Sequence, residues 1–341
     1  MAGRESVFSD PTVVELASSR FVPVAENCSP LQSQQDQKGH FFRLVAEQGH
    51  YAGRTFPTST RQGYYTFTAD GRLLTAANSR DPRAIEAMLR QALERWDTLS
   101  TANGHSAATA AQIGDYTSAR PDLYPAAGLV LQLTARDLPR DVDTRPDDWR
   151  KRAWNIDYAW FTPEEARQLV PEPATAGSAR EWPHAVLRRL ALFHLRDFVR
   201  GEPSAWPEDA LRHADVSSEV LSVEGDRVRL AFRGHITLRY EMTWRRPNDG
   251  SHHSSDCGFD ATLEGEAVWD RAAARFTAFD LLATGPRQGT NQYNNRNDDL
   301  GPAPMGIAFQ LAGSTPRDRT PPHQIWHRAY WAPPVASAAS A

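Results

Sequence analysis

Before Val216 the apolar residues recur at a mixture of helical and strand spacings, and from there on they settle into strand alternation. Asp10 is a natural N-cap with Pro11 at the first helical position, and Val13, Val14 and Leu16-Ala17 supply an apolar face behind them. Phe21-Val-Pro-Val-Ala25 then reads as a short buried strand. From Gln34 to Gln48, Phe41, Phe42, Leu44 and Val45 in a polar setting predict a helix that ends at Gly49. Gly63-Tyr-Tyr-Thr-Phe-Thr-Ala-Asp-Gly71 predicts a strand running into an Asp-Gly turn, with Arg72 to Ala76 as its hairpin partner. Ile85, Met88, Leu89, Leu93 and Trp96 fall at helical spacing after an Asp81-Pro82 start. The predicted order is helix, strand, helix, strand, strand, helix over residues 1–98.

Residues 99–125 are rich in Ala, Thr, Ser and Gly without a sustained period, which predicts a linker or surface excursion. Beyond it, residues 126–335 read as a second domain. Gly128 to Thr134 is a strand, Trp154 to Trp160 alternates at strand spacing, Thr162 to Leu169 is a short capped helix and Pro183 to Val199 a longer one. Val216–Val223, Val228–Arg233 and His235–Trp244 read as consecutive antiparallel strands around a Glu224-Gly-Asp226 turn. Phe259–Trp269 and Phe276–Thr284 follow around Asp270-Arg271. Gly285 onward reads as a polar loop with a short apolar run, Ile307 to Leu311, and residues 336–341 as a frayed tail. The fold class expected is α+β, with an N-terminal α/β domain and a C-terminal domain built on a curled antiparallel sheet with one or two helices.

Composition narrows the classes. A chain of 341 residues with 40% hydrophobic residues and ten Trp is that of a folded globular protein with ample interior. A formal charge of −4 and the lack of a Lys/Arg block argue against nucleic acid as a partner. No stretch approaches the length of a membrane span or a secretory signal, so a cytoplasmic protein is expected. Two cysteines, Cys28 and Cys257, lie too far apart in sequence to suggest a disulfide framework.

The run Arg4-Glu-Ser-Val-Phe-Ser-Asp-Pro-Thr-Val13, followed by Phe21-Val-Pro-Val24, resembles a branch of the thioredoxin-like superfamily found at the head of bacterial epimerase-related proteins. Gly63 to Gly71 is similar to that family's strand and hairpin turn, and Asn78 to Trp96 to its last helix. The resemblance covers about residues 4–97 and implies a thioredoxin-like fold. The family's Cys-x-x-Cys pair would fall at or before Met1, so ordinary dithiol exchange is not expected of the chain as it stands. Three readings remain open: a start that lies further upstream, a degenerate scaffold whose missing strand is supplied from elsewhere, or a shifted register in which Phe21–Ala25 is the first strand and Cys28 takes the active-site position. The degenerate scaffold is favoured.

Candidate chemistry is spread thinly. Cys28, after a predicted strand and before a helical stretch, is placed where backbone amides can activate a thiol, although a small buried hydrophobe is the simpler account. His252, His253 and Cys257, with His235 in a neighbouring strand, are ligand types suited to zinc or copper, but their spacing matches no standard motif and a solvated hairpin loop is the favoured account of the histidines. His323 and His327 stand four apart, where packing is favoured over chelation. Trp154 and Asp157 lie in an aromatic and polar alternation that would line a ligand pocket or simply a packed sheet face. Arg287, Arg296 and Asp298 belong to an irregular polar stretch, 285–299, longer than the usual connection. The expectation is a redox-inactive protein with a binding or accessory role, its ligand, a small molecule or a protein, held by the C-terminal sheet domain. The competing expectation is an enzyme that uses Cys28 as a single thiol or a His/Cys metal site.

Overall fold

In a computed structural model of the chain, the structure describes residues 7–26, 28–32, 36–49, 61–79, 81–103, 124–143, 145, 147–245, 250–314, 316–325 and 327–331. The chain divides into two compact units, one spanning residues 3–122 and the other built from 123–246 and 250–341.

In the first unit, α1 (Pro11–Arg20) is capped by the Asp10 carboxylate, which accepts from Thr12 N at 3.0 Å and Val13 N at 3.1 Å. A four-residue helix, α2 (Cys28–Leu31), precedes α3 (Gln37–Glu47), whose start is set by the Asp36 cap rather than by Gln34. The hairpin falls where the Asp70-Gly71 signal puts it: β1 (Tyr64–Phe67) pairs antiparallel with β2 (Leu73–Ala77), and Gly71 takes φ +85°. α4 (Pro82–Asn103) buries Ile85, Met88 and Leu89 against Val7 and Val13. It runs past Trp96 into the stretch expected to be linker; the rest of that stretch, 104–123, lies outside the described residues.

Phe21–Ala25 is not a buried strand. Val22 is 90% and Val24 72% exposed, and the segment joins no ladder. Pro23 has no N–H to give, and an alternation of valines becomes a strand only where neighbouring backbone accepts it.

The second unit is an eight-stranded antiparallel sheet in the order β4-β3-β10-β9-β8-β7-β6-β5. Its strands are β3 (Leu129–Asp137), β4 (Trp154–Phe161), β5 (Ala179–Glu181), β6 (Leu211–Glu224), β7 (Arg227–Arg245), β8 (His252–Asp270), β9 (Arg275–Gln288) and β10 (Ala303–Leu311). Period-two alternation sends Val228, Leu230, Phe232, Ile236 and Leu238 of β7 inward, with Phe259, Ala261 and Leu263 of β8 beside them. The helices of this unit are short: α5 (Trp149–Arg152) and α6 (Pro163–Gln168) bracket β4, and α7 (His184–Arg189) continues as a π-helical turn, Leu190–His194. This turn packs on both β4 and β6, the first and seventh strands of the order, so the sheet curls around it.

Three predicted boundaries are corrected. The helix expected through Val199 stops at His194, because carbonyls that would continue it are taken by other donors: Leu192 O by Trp206 N at 2.9 Å, Phe193 O by Arg196 Nε at 2.7 Å and Leu195 O by Trp206 Nε1 at 2.9 Å. The strands expected as Val228–Arg233 and His235–Trp244 are one strand. Gly234 does not break it; a Cβ there would lie 2.1 Å from Asp215 O, so the glycine serves the close approach of β6. The stretch from Gly285 is still β9 as far as Gln288, and the loop begins at Gly289, which has φ +86°.

β4 is an edge strand, and its alternate N–H groups are occupied by side chains. Ile156 N donates to Asn155 Oδ1 at 3.0 Å, Tyr158 N to Asp157 Oδ1 at 2.8 Å and Trp160 N to the Tyr330 hydroxyl at 3.0 Å. Among the described residues no helix is long and apolar enough to cross a membrane. Trp326 and the tail expected to fray, 336–341, lie outside the described residues.

Candidate functional site

The end of the sheet where β3 and β9 finish and β4 and β10 begin carries three connections: 138–153, 195–206 and 289–302. They are held together by guanidinium–carboxylate contacts that lie almost wholly inside the protein. Arg296, fully buried, grips Asp137 with two parallel bonds, Nη2 to Oδ1 and Nη1 to Oδ2, both 2.8 Å. It also reaches Asp197 through Nε at 2.7 Å and Nη2 at 2.8 Å, and Asp299 through Nη1 at 3.1 Å. One arginine therefore joins the end of β3, the segment after the π-helical turn and its own loop.

Further arginines complete the cluster. Arg200 contacts Asp299 at 3.1 Å and Asp298 at 3.2 Å, and Arg140 chelates Asp299 at 2.8 and 2.9 Å. Arg145 reaches Asp137 at 2.8 Å, and Arg287 donates both to the Asp299 backbone carbonyl, at 2.5 Å, and to its carboxylate. Burial pushes the Asp137 carboxyl up, but the hydrogen bonds and charge of Arg296, with Arg287 and Arg200, hold it below the usual carboxylate range. Asp299 is likewise held low, Arg140 and Arg287 outweighing its burial. Burial and the neighbouring Arg296 charge lower Arg287 and Arg200, whereas Arg296, despite its burial, is raised by Asp197 and Asp137. Ionised carboxylates tied to guanidiniums are not positioned as proton donors or acceptors; what the cluster does is fix three loops.

Over it lies an open depression of about 630 Å³ whose lining includes Arg140, Val142, Asp298, Asp299, Leu300 and Gly301.

Of the residues expected to bind a ligand, Arg287, Arg296 and Asp298 are thus brought together, the first two as buried clamps and not as solvated loop residues. Asp157 is buried with its carboxylate occupied: Oδ2 takes Arg196 Nη2 at 3.0 Å, and Oδ1 takes the backbone N–H of Tyr158 and of His323, both at 2.8 Å. Trp154 is 40% exposed at the start of β4, at the same end of the sheet as the cluster.

The proposed zinc or copper ligands are not brought together. His235 pairs with Thr262 and His252 with Arg245 in the β7–β8 register, which sets the two histidines roughly 30 Å apart along the strands. His253 stacks on Trp244 with ring centres 5.5 Å apart, and Cys257 donates to Thr290 O at 3.2 Å from within the core. No group of three or more His, Cys, Asp or Glu among the described residues is disposed to hold a metal ion. His323 lies against Glu202, and His327 caps a single 3₁₀ turn by accepting from Ala329 N at 3.2 Å. Cys28 opens its own four-residue helix and is half-buried.

Burial drives the Cys257 thiol up to about 12. In native protein it should resist iodoacetamide near neutral pH and react on unfolding, read by mass spectrometry of the 257 peptide; modification at the rate of a free cysteine would contradict its placement.

Sequence reading missed Asp137, Asp197, Arg200, Asp299, Arg140 and Arg145. The signal present was Arg196 and Asp197 set inside the apolar run Leu190 to Val199, with Arg200 directly after it, since charges in a segment that packs on all sides must find partners there.

Compared with known proteins, the chain matches no family model, no curated protein and no solved structure.

Proposed function

We propose that this protein is a binding module, in which the loop end of the C-terminal sheet is the ligand surface and the N-terminal unit is a thioredoxin-like scaffold without dithiol chemistry. The observation that carries the reading is where apolar side chains are left in water. Among the described residues of the sheet unit six large hydrophobic side chains are exposed, Val142, Trp154, Leu221, Leu282, Tyr293 and Leu300, and all but Leu221 and Leu282 lie at the loop end. Loops clamped from below by buried arginines present two of these groups, Val142 and Leu300, in the wall of a depression together with Arg140 and Asp299, a mixture of apolar surface and a few fixed polar groups that suits recognition. The reactive groups that an enzyme would need are occupied or silenced there: the carboxylates are ion-paired and the Cys257 thiol is buried.

The test is methyl and indole NMR of the full chain with benzoate, benzamide and benzylamine at millimolar concentration as probes. Shifts confined to Val142, Leu300 and the Trp154 indole are expected. Shifts scattered over the sheet, or none at these groups, would remove the loop end as the ligand surface.

A further inference from the structure

On the outer face of the sheet, opposite the core, register sets one rung of side chains in line: Ile156 of β4, Thr134 of β3, Ala308 of β10, Leu282 of β9 and Glu264 of β8. Leu282 is 47% exposed, whereas Ile156, Thr134 and Ala308 are half-buried. An apolar knob therefore stands beside a low floor made of a threonine and an alanine. The floor is bounded on both sides. Toward the loop end Leu138 lies over Gly306, where a Cβ would come 3.2 Å from Leu138 Cδ2, and on the other side Tyr124 and Trp331 cover Tyr158 and Trp160.

The same face is charged in opposite senses at its two ends. Arg136, one outward position from Thr134 on β3, is exposed, and no carboxylate stands on the outer face of β3 or β4. At the other end stand Glu264 of β8 and Asp280 of β9; Asp280 accepts from Gln310 Nε2 at 3.1 Å, and Glu266, next along β8, is paired with Arg229 at 3.1 Å. Arg233 of β7 stands in register with Glu264 but makes no ion pair with it. Arg136 and Glu264 are thus both exposed and, among the described residues, have neither a hydrogen bond nor an ion pair. Three strand spacings, about 14 Å, separate them across the sheet, so they cannot meet within one chain.

We propose that this face is a self-association surface, on which a second copy of the chain packs about a two-fold axis running along β10. Such an axis lays β3 of each copy over β9 of the other, and β4 over β8. Leu282 of each copy then sits over the Thr134–Ala308 floor of the other, and Arg136 comes within about 8 Å, in projection, of Glu264 of the other copy, a span that an arginine side chain covers. Both contacts occur twice, and the knob, the floor and the two unmatched charges are all used. Five strands by three rungs give a contact of about 24 Å by 20 Å, smaller than a standard interface, so the dimer is a weak one. Nothing in this surface depends on the loop end as a ligand site.

The experiment is analytical ultracentrifugation of the full chain at low salt over a concentration range reaching about 500 µM, with a monomer–dimer equilibrium of roughly 10–300 µM expected. Added salt should weaken it. L282E should be monomeric throughout, and R136E and E264R should each weaken the dimer by about tenfold or more, with circular dichroism unchanged because all three positions are exposed. An equimolar mixture of R136E and E264R should recover the association, since in the mixed pair each contact again joins opposite charges. A monomer over the whole range, a dimer indifferent to L282E, or no recovery in the mixture would overturn the proposal.

Discussion

Replacing Arg296 by methionine should cost about 3–5 kcal/mol of stability, the range expected when one partner is removed from a buried ion cluster. Methionine keeps the apolar bulk of the stem and removes the fork that chelates Asp137, bonds twice to Asp197 and touches Asp299. Three carboxylates then remain with fewer partners than their burial requires, and the penalty is theirs and not that of a cavity. Urea denaturation near neutral pH measures it. The same comparison nearer pH 4 should show a smaller difference, because carboxylates stripped of Arg296 take up protons more readily than those that keep it. Arg296→Lys should recover only part of the loss, since one ammonium cannot reproduce a planar bidentate grip. A loss below about 1 kcal/mol would mean that the clamp adds nothing beyond a surface ion pair.

A second large effect is expected from His194. This imidazole is completely buried beside Tyr330, whose hydroxyl it meets at 3.1 Å, and burial, with the Arg196 and Arg189 charges set against Asp157, drives it down to about 3. The folded protein therefore holds the ring neutral where an unfolded chain would protonate it, at about 6.5. Between these values the unfolded state binds the extra proton, so stability falls as pH falls, with a slope of about 1.4 kcal/mol per pH unit from this one residue. Asp137 and Asp299 act in a different window: their carboxyls are lower in the fold than in the unfolded chain, so what they contribute is complete above about pH 4 and is lost only below it. Denaturation between about pH 6.5 and about pH 4.5 isolates the histidine, and His194→Gln, which keeps a polar partner for Tyr330 without titrating, should flatten the slope there. An unaltered slope would falsify the assignment of a neutral, buried His194.

The elements that were legible in the sequence are those whose signals are local. The Asp10-Pro11 start, the Asp70-Gly71 hairpin and the Thr162 to Glu165 capping box need only neighbours along the chain, and each falls where its residues indicate. The antiparallel character of the C-terminal domain followed from alternation in β6 to β9. What was not legible depends on partners far off. Gly234 looks like a strand break until Asp215 O is seen against it, and Leu195 to Val199 looks helical until Trp206 and Asn155 are seen taking up carbonyls of that stretch. The polar stretch 285–299 with Arg287, Arg296 and Asp298 stands out in the sequence as a candidate, but that Arg287 ends a strand and that both arginines are buried is not legible there, because nothing within the stretch announces Asp137 or Asp197 as partners.

The spacing of the clamp along the chain has a consequence for how this surface comes into being. Arg296 is 159 residues from Asp137 and 99 from Asp197, and Arg200 is 98 from Asp298. Contacts this remote close late, after the local hairpins β6–β7 and β8–β9 have formed, since each demands that a long intervening chain be ordered first. The 289–302 segment synthesised as a peptide, or transplanted onto another scaffold, would carry the Asn, Arg and Asp residues without the shape. Its conformation belongs to the finished sheet, and anything that recognises that conformation reports that the whole domain has been completed.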